Sequence, residues 1–212
     1  MVRQRMGTLK RAGLVKTQKV YSESKSLFLL SDLGWKVLSS RFPNAVFGPA
    51  VRVVDFRNYD HDFRVTICRI ALEKYKKASA WIPERRIRIE GYEQPNACYR
   101  LPDTIIPDAI FTNSKGERIA LEVEASVRKK SRFRFKISEY SPLMTGPDPL
   151  IHKVLFIACS DSVGKDLAEL LKGEKNFILE TYSHFVKGLY VSSGESALNL
   201  VPQGGEVMGG GE

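Results

Sequence analysis

The stretch IPDAIFTNSKGERIALEVEA, residues 106–125, decides how the rest of the chain is read. Two runs rich in β-favouring residues, 106–113 and 117–125, flank Ser114-Lys115-Gly116, which predicts a hairpin. Opposed residues of an antiparallel pair have a constant index sum. With the turn centred on Lys115, Asp108 faces Glu122, with Cβ atoms about 5 Å apart. Side chains alternate, so Glu124 projects with Glu122, and Ile119, Leu121 and Val123 go to the other face. Like charges opposed across strands destabilise a sheet. The neighbours Ile106, Ala109, Ile110, Phe111 and Ala120 are apolar, so these acids are not freely solvated. Partly buried carboxylates persist if a cation sits among them, if basic groups cap them, or if one holds a proton. An all-oxygen set suits Mg²⁺ or Mn²⁺, which lowers the pKa of a bound water and neutralises phosphate charge. The competing reading is a structural salt-bridge cluster capped by Lys136 or Arg132.

Outward from the hairpin, the pattern is that of an α/β sheet domain. Residues 61–77 form an amphipathic helix with Val65, Cys68, Leu72 and Tyr75 on one face. WIPERRIRIE (81–90) alternates like a strand, with Glu84, Arg86 and Arg88 on one face. Glu84 there is either a further metal ligand or an ion-pair partner of those arginines. Residues 91–104 are loop, 129–140 a helix, 152–160 a buried strand, 161–171 a helix, 176–182 a strand, and a last strand lies near 186–191. On the helix 129–140, Lys129, Arg132, Lys136 and Tyr140 form one stripe, beside an apolar stripe of Phe133 and Ile137 that docks on the sheet. Packed so, the helix aims Lys136 at the acids. Two acids or bases elsewhere have simpler roles. Glu73 pairs with Arg69 at i−4, and His61 is explained by the start of its helix beside Asp62, with a general base as the alternative.

"PDAIF…ERIALEVEAS" resembles the PD-(D/E)xK nuclease superfamily, the restriction-endonuclease-like fold, whose core runs helix, three strands, helix, strand. The resemblance implies that Asp108 is the acid of the Pro-Asp element and Glu122 the first acid of the (D/E)xK element. Glu124 stands where lysine is expected. Some members place Glu there and others supply the lysine from the next helix, which makes Lys136 the candidate. By this resemblance Asp108, Glu122, Glu124 and Lys136 form the catalytic set, and Asp108, Glu122 and Glu84 the ligands of Mg²⁺ or Mn²⁺. More narrowly, "HDFRV…WIPERRIR…PDAIF…GERIALEVEAS…KISEY" resembles the replication-relaxation family of plasmids and integrated mobile elements. That likeness implies a role on DNA in replication or relaxation.

The N-terminal segment has a different character. Residues 1–26 carry seven basic groups (Arg3, Arg5, Lys10, Arg11, Lys16, Lys19, Lys25) and one acid, Glu23. Met6, Leu9 and Leu14 give a helical stripe ended by Gly13, two β-favouring runs follow, and Ser31 caps a helix through Leu38. This resembles the second half of a winged-helix DNA-binding domain over residues 1–42, with LKRAGLV as its recognition helix. Residues 43–58 read as a linker, 59–192 as the nuclease-like domain, and the Gly-rich end, 201–212, as a disordered tail. A second basic run, VRKKSRFRFK (127–136), interleaves phenylalanines with six cations.

The chain has 212 residues with 33 Lys and Arg against 24 Asp and Glu, a net charge of +9 that points to a polyanion. The DNA-contact candidates are Arg3, Arg5, Lys10, Arg11, Lys16, Lys129, Lys130 and Arg132. No run approaches the ~20 apolar residues of a membrane span. The start lacks an apolar signal core, and three scattered cysteines form no framework, so a cytoplasmic protein is expected. Three functions compete. A metal-dependent DNA endonuclease requires Mg²⁺ and Asp108. A DNA-binding protein that keeps the fold without the chemistry shows salt-dependent binding alone. An interaction factor of a replication or mobilisation complex has a stable partner or forms a homodimer. Nothing in the chain forms a Ser/His/Asp set, a phosphate-cradling P-loop or a dinucleotide fingerprint.

Overall fold

The structure is a computed structural model that describes residues 2–19, 26–43, 50–55, 57–93, 101–102, 104–126 and 129–191. The expected tail at 201–212 and the side chain of Arg3 lie outside what it describes. In chain order the elements are α1 (Val2–Arg11), β1 (Val15–Lys19), β2 (Ser26–Leu30), α2 (Asp32–Arg41), α3 (Tyr59–Tyr75), β3 (Ser79–Pro83), α4 (Glu84–Glu93), β4 (Ala109–Thr112), β5 (Arg118–Glu124), α5 (Lys130–Leu143), β6 (Lys153–Ala158), α6 (Asp161–Leu170), β7 (Phe177–Thr181) and α7 (Tyr182–Val191). They fall into two compact units, Met1–Tyr59 with Arg85–Ala97, and Asp60–Glu84 with Cys98–Glu212. No described helix is long and apolar enough to cross a membrane.

In the first unit, Gly13 adopts φ +69° and ends α1, a conformation that favours glycine. The amide of Leu14 then bonds back to the Leu9 carbonyl at 3.0 Å, and the chain enters the antiparallel pair β1–β2. Ser31 caps α2 as expected, its Oγ accepting from the Gly34 amide at 2.9 Å. Gly34 is buried because α2 crosses the start of the hairpin closely. A Cβ there would overlap the Leu14 carbonyl and lie 2.9 Å from Leu30 Cδ1. The side-chain amide of Gln18 bonds both backbone groups of Val54, which ties residues 50–55 to β1.

The second unit is a five-stranded mixed sheet in the order β3-β4-β5-β6-β7, flanked by helices. β3–β4 and β4–β5 are antiparallel; β5–β6 and β6–β7 are parallel. Parallel neighbours need crossovers, and α5 and α6 supply them. Alternation along β5 separates two cores. Ile119, Leu121 and Val123 pack with Ala109, Phe111, Leu155 and Ile157 against Cys68 and Leu72 of α3 and Tyr182 and Val186 of α7. On the opposite face Phe133 and Tyr140 of α5 meet Phe156 and Phe177. The ladder of the hairpin pairs Ala109 with Leu121 and Phe111 with Ile119, the index sum expected from a turn centred on Lys115.

Three expectations are corrected. WIPERRIRIE is not one strand. Strand β3 stops at Pro83, which has no N–H to continue a ladder, and Glu84, Arg85, Arg86 and Arg88 are good helix formers that start α4. Glu84, Arg86 and Arg88 therefore do not share a strand face, and the helix takes in residues 91–93 that read as loop. Residues 186–191 are the end of α7, where Tyr182 and Val186 are buried at helical spacing. Tyr75 ends α3 at 41% exposure; Ala71 takes its place in the core. Strand β3 is also irregular, with a register shift between Ser79 and Ile82 and Ala80 at φ +49°.

Replacing Gly34 by Ala forces a methyl into backbone rather than into a flexible side chain. We expect a loss of about 3 kcal/mol or more from the first unit. Amide exchange should show lost protection in β1, β2 and α2 while β5 and β6 keep theirs.

Candidate functional site

The carboxyl ends of β5, β6 and β7 lie together, at Glu124, Ala158 and Thr181, the end of a parallel sheet where α/β proteins place ligand sites. Glu122 and Glu124 sit at this end of β5 on the face covered by α5. Glu122 is 3% exposed, the one charged residue among the buried ones described. Its Oε1 accepts from the Tyr140 hydroxyl at 2.6 Å and its Oε2 from Lys136 Nζ at 2.8 Å. The same ammonium donates to Glu124 Oε1 at 2.9 Å. The stripe on α5 thus runs from solvent into the site: Lys129 and Arg132 are exposed, Lys136 is half-buried, and Tyr140 is fully buried. Phe133 and Ile137, buried beside it, fix how the helix lies on the sheet.

Asp108 stands at the start of β4 and turns its carboxylate elsewhere. Its amide bonds the Leu121 carbonyl at 3.0 Å and its carbonyl accepts from the Glu84 amide at 2.9 Å, so the backbone is clamped between two neighbours. Its Oδ2 accepts from the Val123 amide at 2.7 Å and lies 3.2 Å from His61 Nε2. His61 opens α3, on the other side of the sheet from α5, and its Nδ1 is 3.6 Å from Asp62. The helix-start reading of His61 is therefore incomplete, because the ring binds a candidate acid. Beside these groups the Arg64 guanidinium covers the Tyr182 ring at 5.3 Å, and the Cys159 amide donates to the Glu124 carbonyl at 2.9 Å.

The other candidates are placed as follows. Glu84 is the first residue of α4, adjacent to Asp108 through the backbone. Glu73 is held by Arg69 at 2.8 Å and takes no part. Lys130, expected to contact DNA, bonds Glu169 at 2.7 Å and lies 3.7 Å from Asp166 on α6. Arg5, Lys10, Arg11 and Lys16 are exposed on α1 and β1. Sequence reasoning placed Tyr140 on the right stripe without a role; its i+4 spacing from Lys136 was the available signal. Arg64 and Cys159 carried none.

Electrostatics follow from burial. Burial pushes the Glu122 carboxyl up to about 7, against the opposing pull of Lys136 and with a smaller push from Asp108. Burial works against the Lys136 charge, but the two glutamates outweigh it and hold the ammonium above its ordinary range. Burial, then Glu122, raise the Tyr140 hydroxyl well above its ordinary value. The hydrogen bond to Asp108 lifts His61 to about 9, against burial.

As arranged, these residues do not fit a divalent ion. The oxygens of Glu122 and Glu124 that face each other already share an ammonium, the second oxygen of Glu122 is taken by Tyr140, and Asp108 is committed to Val123 and His61. Among the described residues no group of three or more His, Cys, Asp or Glu side chains is placed to hold a metal ion. Comparison with protein-family models, curated proteins and solved structures finds no match.

Two pH windows follow. Glu122 ionises at 4.5 in the unfolded chain and near 7 in the fold, so the fold loses stability as pH rises across that interval. His61 is raised from 6.5 to about 9, so its contribution is complete below 6.5 and is lost as pH rises through 9. Because the ring is 34% exposed, solvent screening reduces that contribution to about 1–2 kcal/mol. Urea unfolding of wild type and His61→Gln should differ by this amount at pH 6 and converge by pH 10. Tyr140→Phe leaves a buried carboxylate oxygen without its donor and should cost about 1–3 kcal/mol at pH 8.

Proposed function

We propose that this chain is a DNA-binding protein of a plasmid or integrated mobile element, of replication-relaxation type, with a partial winged-helix element and a PD-(D/E)xK-like core. The observation that carries DNA binding is the surface of α1 and β1. Arg5, Lys10, Arg11, Lys16 and Lys19 are all exposed, and no acid occurs between Val2 and Lys19. Exposed cations release counterions from DNA when they meet phosphates, and that release drives association. On α5, Lys129 and Arg132 are exposed and add to the same kind of surface.

The core reading is supported by the order α3, β3, β4, β5, α5, β6, which gives helix, three strands, helix, strand once α4, inserted between β3 and β4, is set aside. It is supported too by Lys136 reaching Glu122 and Glu124 from the helix after the hairpin. The same contact favours binding over hydrolysis. The lysine is bonded to both glutamates and is not presented to a phosphate. Replication or mobilisation proteins, or a second copy of the chain, are the partners this reading implies.

Anisotropy of a fluorescein-labelled duplex tests it. Binding should weaken linearly in log K against log[salt]. Lys10→Ala with Arg11→Ala should lower that slope by about two and weaken binding to unrelated sequences alike. Absence of binding at low salt, or a slope the double variant leaves unchanged, overturns the reading.

A further inference from the structure

We propose that α5 carries a contact for single-stranded DNA, in which the Phe135 ring stacks on an unpaired base while Arg132, Arg134 and Lys129 meet the phosphates beside it. The inference rests on the DNA-binding reading and deepens it by naming the strand form that the second unit takes.

Phe133, Ile137 and Tyr140 are buried on the sheet side of α5. Phe135, two residues beyond Phe133, is turned roughly 200° from it about the helix axis. It stands at 51% exposure, the most exposed of the large apolar side chains described in the second unit. Packing within the fold therefore does not account for an aromatic ring at this position. The exposed Tyr75 ring is covered by Lys74 Nζ at 4.9 Å, whereas among the described residues no ring and no cation lies on Phe135. Its neighbours one turn away, Ser131 and Ser138, are small, and Ser138 Oγ donates back to the Phe135 carbonyl at 2.8 Å. Arg132 lies three residues earlier on the same side, about 4.5 Å along the axis. Arg132, Arg134 and Lys129 are exposed and form no ion pair among the described residues. The two acids beside them are engaged. Glu169, within electrostatic range of Arg134, bonds Lys130 at 2.7 Å, and Glu139, the one acid of α5, accepts from Thr104. In a duplex the base faces stack on one another and only base edges show in the grooves, and phenylalanine has no polar atom to read an edge. Its ring matches the open face of an unpaired base, and the arginines match phosphate.

The full chain is titrated into fluorescein-labelled oligothymidylate of about 15 nucleotides and, separately, into the labelled duplex. Phe135→Ala and Phe135→Leu should each weaken single-strand binding about 10-fold and leave duplex binding within about twofold. Phe135→Trp should bind the single strand as wild type does, with the added indole fluorescence quenched. Arg132→Ala should lower the single-strand slope of log K against log[salt] by about 0.7. Leucine keeps an apolar side chain without the π-face, so a Phe135→Leu variant that binds like wild type overturns the proposal. Equal losses on both strand forms overturn it too. So does a Phe135→Ala variant that changes the oligomeric state in size-exclusion chromatography and leaves single-strand binding intact, since the ring then covers a protein surface. Duplex binding with its salt slope, and no response at Phe135, removes this inference and leaves the DNA-binding reading standing. Absence of binding to either form removes both.

Discussion

A carboxylate withdrawn from water at Glu122 is the constraint on which the second unit is arranged. Its solvation is replaced by two donors that come from one helix, Lys136 and Tyr140, a single turn apart. A buried acid with one donor removed is far costlier than a pair never made. The position of α5 is therefore set by polar contacts at its middle as well as by Phe133 against Phe156, with Ile137 buried on the same helix. The sheet in turn fixes Glu124 beside Glu122, since β5 is central and paired on both sides.

The sheet divides its charges between its faces. Lysine and tyrosine answer the glutamates from the α5 side. His61 answers Asp108 from the α3 side, while the Val123 amide binds the same carboxylate from within the strand edge. Each acid is thus neutralised locally. Among the described residues, Glu122, Glu124 and Asp108 each have a basic partner at this end of the sheet.

Much of this was legible in residues. The hairpin around Lys115 followed from Gly116 and from alternation, and that alternation separates Leu121 and Val123 from Glu122 and Glu124 in the fold. The reach of Lys136 followed from helical spacing after the hairpin. What failed was local and has physical causes. Alternation over Ile87-Arg88-Ile89-Glu90 looked extended, but Pro83 closes the strand and the arginines favour a helix, so Glu84 moved from a strand face to a helix start. The tail of α7 is apolar enough to pass for a strand. The partnership of His61 with Asp108 joins residues 47 positions apart, and no periodicity within either element encodes it.

The two margins of the five-stranded sheet differ in what they offer another chain. At β3, a misaligned ladder, a left-handed Ala80 and a terminal proline leave few evenly spaced amides and carbonyls for a visiting strand. β7 is regular against β6 over five residues and presents Ile178 and Glu180 near its rim. Among the described residues, β7 therefore has the more regular backbone as a template for a visiting strand, and β3 the poorer one.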